Sequence, residues 1–325
     1  MNERLIDQAA TPAISAAAEG VAGRPPLNLS GTRSRSLSER LIGVFLFFCA
    51  ALSILTTLGI VFILLEQAFE FFRDVSIIDF LTGTEWTAAF DREYGVLPIV
   101  SGTLVISLIA MIVAIPLGLM SAIYLSEYAQ GWFRSIIKPV LEILAGIPTI
   151  VFGFWALTFL TPDVLSVLFP SIRPFNALAA GLAVGIMILP MVASLSEDAM
   201  RSVPRSLREG GHAMGATKLE ISTQIVVPAA ASGIAASFIL AMSRAVGETM
   251  IVAIAAGSRA RLDANPLLDM QTMTAFIVQL VAGEAPRGTT RYLSLFAVGA
   301  LLFVMTLLLN LASQAIVRRF REVYE

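Results

Sequence analysis

The sequence predicts an all-α membrane protein that crosses the bilayer about six times. Hydrophobic residues make up 57% of its 325 residues and charged residues only 14%, whereas soluble domains carry roughly a quarter charged residues. The apolar residues gather in long uncharged runs, and the basic residues gather on one side of the resulting topology. Together these three observations make lipid the main surroundings of the chain.

The predicted spans are the uncharged runs long enough to cross a bilayer core of about 30 Å, which takes roughly 20 helical residues. They are 41–65, 96–126, 143–162, 174–196, 221–243 and 292–317. Arg244 and Glu248 interrupt the fifth run, which resumes over 249–258. A further run, 270–283, is too short to span and is predicted to be an interfacial or re-entrant helix.

Small residues and prolines within the spans predict how the helices pack. Gly181 and Gly185 form a small-xxx-small pair in the fourth span, a pattern that lets two helices approach closely. Prolines predict kinks or helix ends, and they stand at Pro116, Pro148, Pro190 and Pro228.

The distribution of charge predicts the orientation. Residues 1–40 are rich in Ala, Ser, Pro, Gly and Arg and are predicted to form a disordered arm ahead of a transmembrane domain over 41–320. Six spans place both termini on one side, and 14 of the 22 Lys and Arg residues fall on that side, against 7 on the other. The positive-inside rule then predicts cytoplasmic termini for a multi-pass protein of the inner or plasma membrane.

Several chemistries lack their residues in this sequence. There is no G-x-x-x-x-G-K-[ST] run that would form a P-loop, and His212 and Cys49 are the single residues of their types. A lone histidine and a lone cysteine do not make a metal site or an intrachain disulfide. The sequence therefore predicts a chain that is not an enzyme, has no cofactor or metal of its own and has no nucleic-acid partner.

The loop 197–220 predicts a helix, a sharp turn and a second helix on the cytoplasmic side. Pro204 suits the start of a helix, and Gly215 suits the left-handed residue that ends one. Thr217 and Glu220 stand at the spacing of a capping box, which would start the next helix at once.

This loop resembles the coupling loop of ABC importer permeases, written E-A-A-x3-G-x9-I-x-L-P. The matching positions are Glu209, Gly210, Gly211, Gly215, Ile225 and Pro228. Two glycines replace the alanines of the pattern, and Val227 replaces its leucine. The resemblance implies a type I ABC importer permease fold, with 197–220 docking on a dimer of separate ATPase subunits beside a second, homologous permease subunit.

Two further segments resemble the phosphate-specific permeases of the PstC type. One joins Glu85-Trp86-Thr87 to 94–98 and 101–104, and the other is 243–250. This resemblance implies an importer of inorganic phosphate that receives its substrate from an extracytoplasmic phosphate-binding protein. Another oxyanion, molybdate or sulfate, stays open as the substrate, and so does a membrane sensor or enzyme without transport.

Arg244 and Glu248 are the candidate substrate-path residues. A charge inside the membrane costs about 2.5–3.5 kcal/mol on insertion scales, so it is retained for a reason. A spacing of four places the two side chains on one helix face, where they can pair. The pair is either a structural ion pair between packed helices or an anion-path arginine with a charge partner.

The segment 257–291 carries four arginines on the predicted outer side: Arg259, Arg261, Arg287 and Arg291. It is either a solvated loop of mixed charge or a functional surface. As a functional surface it would dock the binding protein or form a basic vestibule for an anion.

Overall fold

The structure, a computed structural model, describes residues 33–87, 93–283 and 286–320, and within them the side chains over 39–317. The chain divides into two compact units, Met1–Val61 and Phe62–Glu325. Of the predicted N-terminal arm, residues 1–32 lie outside the described part of the chain, and 33–40 belong to the first helix.

The described residues are mostly helical. The non-helical connections include the long segment 256–272 and one isolated β-bridge between Trp86 and Tyr94. The helices that precede the predicted coupling loop are α1 (Arg33–Asp74), α2 (Ile77–Thr82), α3 (Leu97–Tyr128), α4 (Gly131–Ala145), α5 (Thr149–Leu168) and α6 (Ala177–Arg201). Those that follow are α7 (Arg205–Ala213), α8 (Lys218–Ala229), α9 (Ala231–Val246), α10 (Met250–Ala255), α11 (Met273–Ala282) and α12 (Thr290–Phe320).

Five of these helices contain stretches long and apolar enough to cross a membrane: Glu39–Asp74, Leu97–Tyr128, Thr149–Leu168, Ala177–Arg201 and Thr290–Val317. A sixth span exists if α8 and α9, which meet at a bend of 71°, cross together. Helix α11 has only 10 residues. The predictions of an all-α protein with about six spans, and of a run near 270–283 too short to span, are confirmed.

Two differences from the predicted spans lie at or near prolines. The third span starts at Thr149 because Pro148 has extended backbone (ψ 133°) and interrupts the helix, so 143–145 belong to α4. The fifth span is not one straight helix: Pro228 is followed by a break at Ala230, where α8 and α9 diverge. Proline has no backbone N–H and its ring crowds the preceding turn, and the turn before Pro228 is a π-helix over Ile221–Val226.

Close packing of α3 against α6 forms the main apolar core, as the glycine pair in the fourth span predicted. A Cβ atom at Gly181 would lie 2.7 Å from the side chain of Ile109, and one at Gly185 would lie 3.0 Å from the carbonyl oxygen of Ala110. Contacts this short exclude any larger residue unless the helices separate. Side chains from α5, α9 and α10 complete this core.

A second apolar cluster surrounds the start of α3, at the end of the helices opposite α7. Trp86 packs edge-to-face on Tyr94 and on Phe276 of α11, with ring centroids 6.0 and 4.9 Å apart. Phe71 and Phe80 continue the cluster to α1 and α2. The first of the two segments that resemble the phosphate permeases therefore fixes a loop over the end of the bundle.

Candidate functional site

Helix α7 and the turn after it form the first candidate site, and their local signals are confirmed. The helix begins directly after Pro204 and ends before Gly215, whose φ of +82° lies in the left-handed region that glycine adopts without strain. The Thr217 hydroxyl then accepts from the backbone N–H of Glu220, and the Glu220 carboxylate accepts from the backbone N–H of Thr217, at 3.3 and 2.8 Å. These bonds start α8 and fix the direction in which α7 is presented.

An ion pair that the sequence did not reveal anchors α7. The Arg208 guanidinium donates to both carboxylate oxygens of Glu127, at the end of α3, over 3.2 and 3.0 Å. It also donates to the carbonyl oxygens of Val203 and Met200, at 2.7 and 2.8 Å. Both partners are mostly buried, with 20% of the Arg208 side chain and 9% of the Glu127 side chain exposed. One side chain thus joins α3, the end of α6 and α7.

The predicted coupling residues divide into a packed set and an exposed set. Gly211 faces α8: a Cβ atom there would lie 2.8 Å from Ile225 Cδ1 and 3.0 Å from Ile221 Cγ1. Pro228 lies at the end of α8, just before the bend. Glu209 and Gly210 are exposed, and a Cβ atom at Gly210 would meet no atom within 4 Å. Glu209 and Gly210 are therefore available to a partner, whereas Gly211 and Ile225 hold α7 on α8.

Leucine substitutions at the two glycines separate these roles. Gly211→Leu should destabilise the contact of α7 with α8 by about 1–3 kcal/mol, because it overpacks Ile221 and Ile225. Gly210→Leu, the matched control on the same helix, should leave stability equal or up to about 1 kcal/mol higher, because leucine favours helix over glycine. Thermal unfolding of the purified protein measures both. Equal losses at the two positions would contradict this assignment.

A second ionic cluster joins the amphipathic helix α4 to the end of α6. The Glu197 side chain is only 1% exposed, and its carboxylate lies 2.6 Å from the Arg134 guanidinium and 3.5 Å from the Lys138 ammonium. Lys138 also donates to Asp198 at 2.8 Å, and this hydrogen bond raises the pKa of Lys138 above its usual range. The ion pairs of Arg134 and Lys138 with Glu197 and Asp198 therefore hold α4 against α6.

Arg244 and Glu248 form the second candidate site, and the structure corrects their predicted pairing. Helix α9 ends at Val246, and α10 begins only at Met250, so the two residues do not share one continuous helix face. The Glu248 carboxylate accepts instead from the backbone N–H groups of Met250 and Ile251, at 3.1 and 3.2 Å. The Glu248 side chain therefore caps the first backbone N–H groups of α10, and Arg244 makes its contacts elsewhere.

Arg244 lines a cavity of about 370 Å³ between α4, α6 and α9. Its guanidinium Nε lies 3.3 Å from the sulfur of Met187, a weak acceptor. The walls are mostly apolar, with Met191, Leu195 and Leu240 among them, and Glu142 of α4 is the other charged residue of the lining. Chemically, the cavity offers a cation with unused donors in apolar surroundings, where an anion is bound more strongly than in water.

The long apolar helices, the helical loop that contains α7 and the interrupted span that carries Arg244 are features of a multi-pass membrane protein. The chain belongs to the family described as "Binding-protein-dependent transport system inner membrane component", whose sequence profile matches residues 114–322. It is an ABC transporter permease with the type I importer fold and a multi-pass membrane protein.

Particular relatives narrow the class. The chain is 34% identical over 284 residues to a probable ABC transporter permease protein, YqgH, of Bacillus subtilis, covering 86% of this chain and 91% of the relative. It is also 34% identical over 248 residues to the phosphate transport system permease protein PstC of Xylella fastidiosa, covering 70% of this chain and 75% of the relative. The resemblance to PstC-type permeases is thus confirmed.

Solved structures share the fold at low identity. A bacterial alginate ABC transporter, solved with a periplasmic protein bound to an alginate pentasaccharide, superposes with a TM-score of 0.63 at 17% identity and covers 90% of this chain and 99% of its own. An inward-facing form of the MetNI methionine ABC transporter has a TM-score of 0.52 at 19% identity and covers 70% and 94%.

Proposed function

We propose that this chain is the membrane-spanning subunit of an ATP-driven importer of inorganic phosphate. The observation that carries the proposal is Arg244, an arginine in the last turn of α9, just before the break in the fifth span. It lines a mostly apolar cavity and has no carboxylate partner among the described residues. An intramembrane cation left in this state is suited to binding an anion. The PstC relatives supply the choice of phosphate.

The proposed path is completed by a second, homologous permease subunit. Three residues of the cavity lining, Arg244, Glu142 and Leu240, are exposed in the isolated chain. A charged residue exposed at membrane depth is not stable against lipid, so another protein surface is needed to cover it.

The proposed ATPase partner docks on α7. This helix is short, polar and firmly held by Arg208, and it leaves Glu209 and Gly210 free on its outer surface. A rigidly anchored helix transmits displacement to the spans with little loss, because α3 and α6 move with it. ATP would then be hydrolysed on the partner, and this chain would move without covalent chemistry.

In the proposed orientation, α7 and both termini face the cytoplasm. The second apolar cluster, which contains Trp86, faces the binding protein on the other side. The bias of basic residues toward the side of α7 supports this arrangement. Labelling single cysteines at positions 210 and 287 from either side of the membrane, in a Cys49→Ala background, checks it.

Reconstitution tests the proposed function. Liposomes that hold this chain with its permease and ATPase partners, supplied with binding protein and ATP, should accumulate radiolabelled phosphate, and a non-hydrolysable ATP analogue should stop the uptake. Sulfate and molybdate serve as parallel substrates. Uptake of either in place of phosphate would make the chain a permease for that oxyanion, and ATP-dependent uptake of none would favour a sensor.

A further inference from the structure

A second cationic cavity lies at the opposite end of the helices from α7. It has a volume of about 420 Å³ and is lined by the Trp86–Thr87 loop, the segment 258–261, one side of α11 and the start of α12. Three arginines line it, Arg259, Arg261 and Arg291, and none of the described lining residues is acidic. The cavity is separate from the one that holds Arg244.

Positive charge is in excess around this cavity. Asp269 is not part of the cavity lining, but its carboxylate lies 3.5 Å from the guanidinium of Arg261, 3.6 Å from that of Arg259 and 2.8 Å from that of Arg173. One carboxylate therefore faces three guanidinium groups, and Arg291 adds a fourth with no ion-pair partner among the described residues. Guanidinium groups carry donors in a planar fork that matches the oxygens of a tetrahedral anion.

Neutral polar groups complete the lining. Gln271 donates to the side-chain oxygen of Gln279 at 2.6 Å, which leaves the amide nitrogen of Gln279 and the amide oxygen of Gln271 for another partner. Thr87 Oγ1 is buried and has no hydrogen-bond partner within the described part of the chain. Buried polar atoms are almost always paired in native structures, so this hydroxyl is suited to a hydrogen bond with a ligand in the cavity.

The segment 271–274 links the lining of this cavity to the break in the fifth span. The backbone at Gln271 passes Gly102 so closely that a Cβ atom on this glycine would lie 2.4 Å from the Gln271 carbonyl oxygen. Three residues further on, the Thr274 hydroxyl donates to the carbonyl oxygen of Glu248 at 2.6 Å. The start of α11 thus lies between the arginine-lined cavity, which Gln271 lines, and the break between α9 and α10, which Thr274 contacts.

We infer that this cavity is an entry site for inorganic phosphate, occupied before the anion reaches Arg244. The inference rests on the proposed function and adds a site to it. The arginines supply donors to the charged oxygens, while Gln271 Oε1 and Thr87 Oγ1 can accept a hydrogen bond from a protonated phosphate oxygen. Sulfate carries no proton at neutral pH, so these two acceptors favour phosphate over sulfate.

The test measures binding of radiolabelled inorganic phosphate to the assembled transporter in nanodiscs, without binding protein, in an Arg244→Gln background. Binding that remains there belongs to the entry site. The double substitution Arg261→Gln with Arg291→Gln should weaken this binding at least tenfold. Arg287→Gln, in the turn between α11 and α12 but outside the cavity lining, should leave it unchanged. Thr87→Val removes one acceptor for the phosphate proton, so it should lower the ratio of phosphate affinity to sulfate affinity.

Three results would overturn the inference. The first is no phosphate binding in the Arg244→Gln background, and the second is an equal effect of the double substitution and of Arg287→Gln. The third is a double substitution that leaves phosphate binding unchanged but weakens the affinity of the transporter for the binding protein. The last result would make the cavity a docking surface. Uptake by the wild-type transporter is measured separately. If it transports sulfate or molybdate instead of phosphate, the proposed substrate fails, while retained anion binding that depends on Arg261 and Arg291 would still support an oxyanion entry site.

Discussion

Arg208→Gln should detach α7 from the bundle and reduce ATP-driven uptake more than tenfold, while the protein still inserts into the membrane. The substitution leaves the mostly buried Glu127 carboxylate without its cation and removes the donors to Val203 and Met200. Breaking one side of a buried ion pair typically costs about 3–5 kcal/mol. The affected contacts all lie at the base of α7, so the loss should be local to this helix.

Thermal unfolding, hydrogen exchange across 203–216 and uptake in reconstituted liposomes measure the effect. Arg205→Gln is the matched control, because Arg205 lies on the same helix, is exposed and makes no ion pair or side-chain hydrogen bond among the described residues. Its effect on the stability of the isolated subunit should be within about 0.5 kcal/mol. If Arg208→Gln behaves like the control in all three measurements, α7 is held by other contacts.

Arg244→Gln should lower phosphate uptake at least tenfold with little effect on stability. Among the described residues, the guanidinium has one hydrogen bond, to the thioether sulfur of Met187, and no ion pair, so its removal breaks no strong polar interaction. A tenfold loss corresponds to about 1.4 kcal/mol of anion binding. Arg287→Gln, at an exposed position on another connection, should transport normally and serves as the charge control.

Glu248→Ala should act through the fold instead. The carboxylate accepts from two backbone N–H groups at the start of α10, and losing a cap of this kind costs about 0.5–2 kcal/mol. The stability effects of Glu248→Ala and Arg244→Gln should add, because the two side chains have different partners. A double variant that regains both stability and uptake would show instead that the two residues pair, and both would then cease to be path candidates.

Local signals in the sequence predicted much of the candidate coupling loop. Pro204, Gly215 and the capping box at Thr217 each act within a few residues of the chain, and all three appear as expected. The Arg208–Glu127 pair was not predictable in this way, because its partners are 81 positions apart. Its only sequence signal was a glutamate at the end of a predicted span.

The sequence by itself determined that the chain is helical, that it crosses the membrane about six times and that the run near 270–283 does not span. Hydropathy and length decide these features, because each helix satisfies its own backbone hydrogen bonds in lipid. Only the tertiary structure decided which charges meet. A spacing of four predicted that Arg244 and Glu248 share a helix face, but the helix stops at Val246, and Glu248 turns to the start of α10. Arg244 contacts Met187, and Glu248 contacts Thr274. Both partners are distant in sequence, so the spacing of the two charged residues could not predict these contacts.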